Sequence, residues 1–278
     1  MKASGQDDLA MKCIAGFLTR IGDDVIRWLQ TWMNTFRFGA RAVAAAFSPG
    51  LYNSPTRTVV QKQIYFTAWQ ILVEFTLLSA LISLVVVQIA VITARQFGLE
   101  NYALEVVIRA LVLEVLPLIT ALFVALRSGA AINTEIVLMN INNEIRALED
   151  AGVDPMRFEF MPRVVGGVIS VLTLSAMSGL VALVVGYLSV YGFSISGISG
   201  FSQVVGKVFS LGILFGLWFK SFIFGLAVTI IPISSGLSAP KKLFFAPISV
   251  LHGMVRLFFT LMIIEVGSLG IKYIPWPN

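Results

Sequence analysis

Phe75-Thr-Leu-Leu-Ser-Ala-Leu-Ile-Ser-Leu-Val-Val-Val-Gln-Ile-Ala-Val-Ile-Thr93 carries no charged side chain. About 20 such residues in a helix, rising ~1.5 Å each, cross the roughly 30 Å hydrocarbon layer of a bilayer. A helix on a soluble core needs one apolar face; here every face is apolar, which requires lipid as a second solvent. The stretch lies inside a candidate span, Ile64–Thr93, and four others follow at Leu104–Leu126, Val164–Tyr191, Val208–Ile233 and Ile248–Ile271. The 278-residue composition agrees, with 57% hydrophobic and 13% charged residues, against about 25% charged in soluble domains. Secreted scaffolds and soluble enzymes are excluded. Cys13 is the single cysteine and His252 the single histidine, so neither an intramolecular disulfide nor a cysteine/histidine metal cage is expected.

The net charge of +5 is not a nucleic-acid signal, because the basic residues fall in segments facing one side of the membrane. Segments 1–63, 127–163 and 234–247 hold fourteen of them, among them Arg37, Arg41, Arg127, Arg146, Arg163, Lys241 and Lys242, whereas the opposite loops hold little beyond Arg95, Lys207 and Lys272. The asymmetry predicts a cytoplasmic amino terminus and an external carboxyl terminus. Before the spans, Ile14, Phe17, Leu18, Ile21, Val25, Trp28, Leu29, Trp32, Met33 and Phe36 recur at steps of three and four, with Arg20, Asp23, Asp24, Arg27, Gln30 and Asn34 opposite. That pattern predicts an amphipathic helix lying in the interface. The breaker-rich Ser48–Pro55 link then separates a 1–57 interfacial region from a 58–278 five-span domain. The fold class is an all-α integral membrane protein: one interfacial helix and five transmembrane helices. Tyr191–Gln203, uncharged and rich in serine and glycine, reads as a short external connection.

Ionisable side chains inside spans cost at least ~2.5–3.5 kcal/mol at the bilayer centre and therefore pair or line a polar cavity. Glu74, Glu114, Lys220 and Glu265 are the ones to explain, and Gln88 joins them as a polar candidate for a substrate pathway. Counted at 1.5 Å per residue, Glu114 and Lys220 lie at similar depth, about 15 and 18 Å from the outer ends of their spans. Two roles stay open for them: lining a substrate cavity, or forming a structural pair that fixes helix register. Between the second and third spans, Ile141-Asn-Asn-Glu-Ile-Arg-Ala-Leu-Glu-Asp150 has helical apolar spacing at Ile141, Ile145 and Leu148. It is expected to stop at Gly152 and Pro155. This short helix, carrying Glu144, Glu149 and Asp150, suits a docking surface for a soluble partner. The chain lacks a phosphate loop of its own: Gly200-Phe-Ser-Gln-Val-Val-Gly-Lys207 has five residues between its glycines instead of four and ends in valine where Ser/Thr belongs. No nucleophile, histidine and acid arrangement is present to make it a catalyst.

Arg127-Ser-Gly-Ala-Ala-Ile-Asn-Thr-Glu135, Met139, and Asn143-Glu-Ile-Arg-Ala-Leu-Glu-Asp-Ala-Gly-Val-Asp-Pro155 together resemble the signature of the MlaE (YrbE) family of ABC transporter permeases. Leu113-Glu-Val-Leu-Pro117 is similar to the family's Arg-Glu-Leu-Gly-Pro segment, keeping Glu114 and Pro117, and Phe219-Lys-Ser-Phe-Ile-Phe-Gly225 resembles its Lys-Ser-x-x-Phe-Gly segment. Leu113 and Leu116 depart from that pattern, as does Ser79-Ala-Leu-Ile-Ser83 where relatives usually carry glycine; Glu265 stands where many carry aspartate. The resemblance implies a homodimeric permease of the bacterial inner membrane, moving phospholipid-like substrates between that membrane and a periplasmic MCE-domain protein. A separate cytoplasmic ATPase would hold the ATP and magnesium, and this chain no cofactor. The 141–150 helix would be the coupling helix, with Arg127, Glu135, Glu144, Ile145, Leu148, Glu149, Asp150, Gly152, Asp154 and Pro155 shaping the ATPase contact. The rival reading is an ion-coupled secondary transporter using the intramembrane carboxylates; the odd span count and lack of a repeat speak against it.

Overall fold

Apolar stretches of this length leave no backbone conformation but helix, since every peptide group must find its partner within the segment. The computed structural model describes residues 22–23, 26, 29–46, 58, 61–62, 64–98 and 100–273, and among them every regular element is helical. In chain order these are α1 (29–46), α2 (Gln70–Gln96), α3 (Leu104–Ile141), α4 (Glu144–Asp150), α5 (Met156–Tyr191), α6 (Ile198–Val208), α7 (Leu211–Leu237) and α8 (Leu243–Lys272). Among the described residues, helices α2, α3, α5, α7 and α8 are the five long enough and apolar enough to cross a membrane.

The central helix is α7, packed against α5, α8 and α3, while α2 lies on the far side of α5. Lipid tails are as apolar as leucine, so helices in a bilayer associate through close packing of small residues rather than by burying hydrophobic faces. Helix α2 shows this. Its buried stripe repeats every fourth residue, Ile71, Phe75, Ser79, Ser83, Val87 and Val91, with the two serines at its centre. Leu77, Leu81, Val85 and Ile89 face outward. Serine at 79 and 83 therefore keeps the close contact that glycine would otherwise give. The α5–α7 contact is tighter still: a Cβ added at Gly225 would lie 2.7 Å from the Val168 backbone Cα.

The ends of the elements differ from the expectation in four places. Helix α3 does not stop near Leu126 but continues for another four turns to Ile141, because Arg127 and Glu135 are charged without being helix breakers; it passes through a π-helical turn at Ala125–Gly129. The stop comes at Asn143, which adopts the left-handed conformation with φ 58°, so α4 begins at Glu144 rather than Ile141. Gly152, with φ 75°, ends α4. Pro155 is not part of that stop but precedes the first turn of α5 at Met156–Phe160, where Asp154 Oδ1 accepts a hydrogen bond from the Met156 N–H at 3.0 Å. The third span thus starts before Val164. Finally, the Tyr191–Gln203 connection is not a plain loop. Its second half enters α6, whose Phe201, Val204, Val205 and Val208 pack on Leu104, Val107 and Ile108 of α3. Serine and glycine there occupy the outward positions of an amphipathic helix.

The predicted stripe positions Ile14, Phe17, Leu18, Ile21, Val25 and Trp28 lie outside the described residues. Farther along, α1 packs on α5, α7 and α8 through Trp32, Thr35, Phe38, Gly39 and Ala42. Thr35 Oγ1 sits 2.9 Å from Ser234 Oγ, Phe38 meets Phe160 edge-on at 5.7 Å, and the Arg256 guanidinium lies over the Trp32 ring at 5.5 Å. The stripe residues Leu29, Met33 and Phe36 point away from the bundle and are exposed, where an interfacial helix meets lipid. The α1 sequence therefore has two working faces rather than one.

The α5–α7 contact yields a measurable contrast. Gly225→Ala is expected to force the two helices apart and destabilise the protein by ~1–3 kcal/mol, whereas Gly216→Ala, with no atom within 4 Å of the added methyl, should leave stability unchanged or raise it slightly. Thermal unfolding of the purified protein in detergent, followed by size-exclusion chromatography, reads both.

Candidate functional site

The second span contains proline at 117, which has no N–H to give to the carbonyl of residue 113. Helix α3 accommodates this with a π-helical turn at Leu111–Val115, in which the Leu116 N–H reaches the Leu111 carbonyl. Such turns widen a helix and reorient one side chain. Here the side chain is Glu114, carried inward and left 8% exposed. The Leu113 carbonyl, released by Pro117, accepts a hydrogen bond from Lys220 Nζ of α7 at 3.3 Å.

Lys220 is the centre of the site. Its ammonium lies 2.6 Å from Glu114 Oε2 and 2.8 Å from Glu265 Oε1 of α8, and sits 5.8 Å from the centroid of the Phe224 ring. An ammonium has three protons to donate, and these three acceptors, one neutral and two anionic, take them all. Lys272, at the end of α8, donates to the other oxygen of Glu114 at 2.7 Å. Two carboxylates and two ammonium groups thus form one charge-neutral cluster joining α3, α7 and α8. In a low-dielectric interior the attraction offsets desolvation only when geometry and hydrogen bonding are this complete.

The cluster forms the polar wall of an otherwise apolar cavity of about 530 Å³, lined by Leu113, Ile213, Gly216, Leu217, Phe219, Ile223, Ile264 and Ile271 as well as Glu114, Lys220 and Lys272, with Glu265 paired to Lys220 behind them. Depth counting from the sequence brought Glu114 and Lys220 to one level, and the structure places them in contact together with Glu265. It does not bring Glu74 or Gln88 there. Glu74 forms an ion pair of 3.1 Å with Arg127 on the outside of the bundle, 67% exposed, tying α2 to the second π-helical turn of α3. Gln88 is exposed on α2, away from the buried stripe. Lys272 was missed, since a lysine beside a helix end ordinarily snorkels outward; its spacing of seven from Glu265 was the available signal, because residues i and i+7 share a face.

At the opposite end of the bundle, α4 presents Glu144, Arg146, Glu149 and Asp150, all exposed. Ile145 packs on the cluster formed by Ala42, Ile132, Ile136, Phe160, Val164, Val168 and Ile233, so it holds α4 to the rest of the chain, while Leu148 is half-buried. Asn143 Oδ1 accepts from Lys241 Nζ at 2.7 Å, and Asn140 Nδ2 donates to the Leu237 and Ala239 carbonyls at 3.1 and 3.2 Å, binding the α3–α4 corner to the end of α7. Arg163 of α5 bonds to Glu159 and, at 3.0 Å, to Glu135 of α3. Asp154 pairs with Arg157 at 3.3 Å.

The profile of the family described as Permease MlaE matches residues 60–268 of this chain. The chain is similar to a probable ABC transporter permease protein of Rickettsia conorii, 25% identical over 222 residues, covering 80% of this chain and 84% of the relative. It is similar at 24% identity, with the same coverage, to the corresponding protein of Rickettsia typhi. The intermembrane phospholipid transport system permease protein MlaE of Haemophilus influenzae is 29% identical over 167 residues, covering 59% of this chain and 61% of that protein.

The cluster geometry predicts an unequal response to mutation. Lys220→Met leaves Glu265 buried without its cation and is expected to cost ~3–5 kcal/mol. Lys220→Met/Glu265→Gln removes one charge of each sign and keeps the Glu114–Lys272 pair, so it should recover more than half of that loss. Thermal stability in detergent of the two variants and of Glu265→Gln measures the coupling.

Proposed function

The chain belongs to the MlaE permease family and is the membrane-spanning, non-catalytic subunit of an ABC transporter, and from that premise we propose that it carries phospholipid or a closely related lipid between the bacterial inner membrane and a periplasmic MCE-domain protein. The observation that carries this reading is the cavity of about 530 Å³, apolar enough for acyl chains and bounded on one wall by Glu114, Lys220 and Lys272, with Glu265 paired to Lys220 behind them. The relative from Haemophilus influenzae is named for intermembrane phospholipid transport. The cavity opens at the bundle surface, so a second copy of the chain completes the pathway as a homodimer.

In this scheme the amino terminus and α4 are cytoplasmic, and α6 and the carboxyl terminus are periplasmic, as the distribution of lysine and arginine favours. Region 1–57 serves as interfacial helix and linker, and 58–278 as the permease domain. A partner ATPase, holding ATP and magnesium, docks on α4 through Glu144, Glu149 and Asp150 beside Leu148, with Ile145 anchoring the element from behind. Gly152, Asp154 and Pro155 fix the turn into α5, and Arg127 and Glu135 brace α3 against its neighbours. One continuous helix, α3, joins the docking element to Glu114, about 40 Å away at 1.5 Å per residue. Movement of α4 on ATP binding therefore reaches the cavity wall along α3, and the differing affinity of the ATPase dimer for the two arrangements supplies the work.

Co-reconstitution of the chain with its ATPase in liposomes, with labelled phospholipid as cargo and MCE-domain protein as acceptor, is expected to give ATP-dependent transfer. Absence of transfer with an active ATPase bound would overturn the reading. Glu144→Lys/Glu149→Lys should insert at parent levels, because the changes lie outside the spans, yet weaken ATPase pull-down by about tenfold or uncouple hydrolysis from transfer. Unchanged recruitment and transport would reduce α4 to a connector.

A further inference from the structure

Lysine next to a helix end in a membrane protein normally extends its ammonium outward to the interface, where water and lipid headgroups solvate it at little cost. Lys272 does the opposite. It stands in the last turn of α8 and turns inward to Glu114, its ammonium 2.7 Å from Oε1 at the wall of the apolar cavity. The cost of that orientation asks for a function. We propose that Lys272 is the specificity residue of this cavity and binds the phosphate of a phospholipid headgroup, Glu114 holding it in position between cargoes. The inference rests on the lipid-transport reading above and deepens it by naming the headgroup chemistry.

Three observations carry it. The first is the division of labour between the two cations. Lys220 commits its three protons to Leu113, Glu114 and Glu265, and its side chain is 5% exposed, while the Lys272 side chain is 27% exposed. Lys220 is locked into the wall; Lys272 is the cation that an incoming anion meets. The second is the polar stripe to which it belongs: Glu265, Ser268 and Lys272 follow at intervals of three and four on one face of α8, and all three approach the cavity or its charged wall. Ser268 and Lys272, at i and i+4, set a hydroxyl and an ammonium side by side, a pair of donors suited to two oxygens of a phosphodiester. The third is charge balance. The four groups sum to zero, so a phosphodiester of charge −1 approaches no net negative charge, and Glu114 keeps its contact with Lys220 while Lys272 turns part of its donation to the phosphate. Gly216 and Gly267 line the same space, and a methyl added at either would have nothing within 4 Å, which leaves room for a glycerol backbone beside the ammonium.

The test uses the full chain bound to its ATPase in nanodiscs and two fluorescent probes with identical acyl chains, one a phosphatidylglycerol and one a diacylglycerol. The parent is expected to bind both. Lys272→Met should weaken phosphatidylglycerol binding about tenfold, the scale of one charge-assisted hydrogen bond, while leaving diacylglycerol binding within twofold; Lys272→Arg should keep the parent preference. Glu114→Gln/Lys272→Met separates recognition from mere neutralisation of Glu114: persistent loss supports the proposal, and recovery of phosphatidylglycerol binding overturns it. Equal effects of Lys272→Met on the two probes, or no effect on either, would also overturn it. Inorganic phosphate is included as a competitor. Weak competition supports a lipid headgroup site, whereas displacement of the phospholipid probe as potent as by phospholipid itself identifies a free-anion site and rejects the proposal. A parent complex that binds neither probe would instead bring down the lipid-transport reading, and this inference with it.

Discussion

An ammonium group removed from water must have its protons accepted, and in the middle of a bilayer only the protein supplies acceptors. Lys220 meets that demand by drawing α3, α7 and α8 to one point, with Glu114, Glu265 and the Leu113 carbonyl around it. Each acceptor has a local cause. Proline at 117 releases the carbonyl, the π-helical turn at Leu111–Val115 swings the glutamate inward, and close packing of α7 on α8 brings Glu265 within reach. The register of three helices is thereby fixed by polar chemistry. The apolar contacts around it, many of them leucine, isoleucine and valine, tolerate sliding far better than an ion pair does.

The rest of the bundle is held by shape. Ser79 and Ser83 on α2 and Gly225 on α7 let helices approach closely, and Gly167 and Gly179 on α5 make room for the Thr229 and Val112 side chains, so that dispersion replaces the hydrophobic driving force that lipid does not provide. A consequence is the inverted surface of the molecule. Leu77, Leu81, Phe215, Ile263 and Val266 face outward, while serine, threonine and asparagine sit among the apolar side chains of the interior, as at Ser175 with Ser221 and Asn133 with the Val250 carbonyl.

The spans were legible because hydrocarbon thickness imposes a length, and sequence records length directly. Their ends were not, because a charged residue does not by itself break a helix: Arg127 and Glu135 continue α3, each held in an ion pair with a residue distant in sequence, Glu74 and Arg163. The real stop, Asn143 in a left-handed conformation, depends on a single residue that also tolerates ordinary helix. Depth could be counted along each helix, which brought Glu114 and Lys220 together. Azimuth could not, which is why Glu74 and Gln88 were grouped with them although they face elsewhere. Helix α6 was hidden by its serines and glycines, whose outward placement becomes evident only once Phe201 and Val208 are seen against α3.

Gly129, at the end of the second π-helical turn of α3, lies against α7 where Pro232 interrupts the latter: a methyl at 129 would stand 3.4 Å from the Val228 carbonyl oxygen and 3.6 Å from the proline ring. Pro232 has no N–H for that same carbonyl. Two neighbouring helices therefore both depart from regular α-helical hydrogen bonding at one level of the bundle. A beam notched on one side bends about the notch; two beams notched at the same height fold along a common line. That level lies between the half of the molecule bearing α4 and the half bearing the charged cavity, and it is marked by one glycine and one proline.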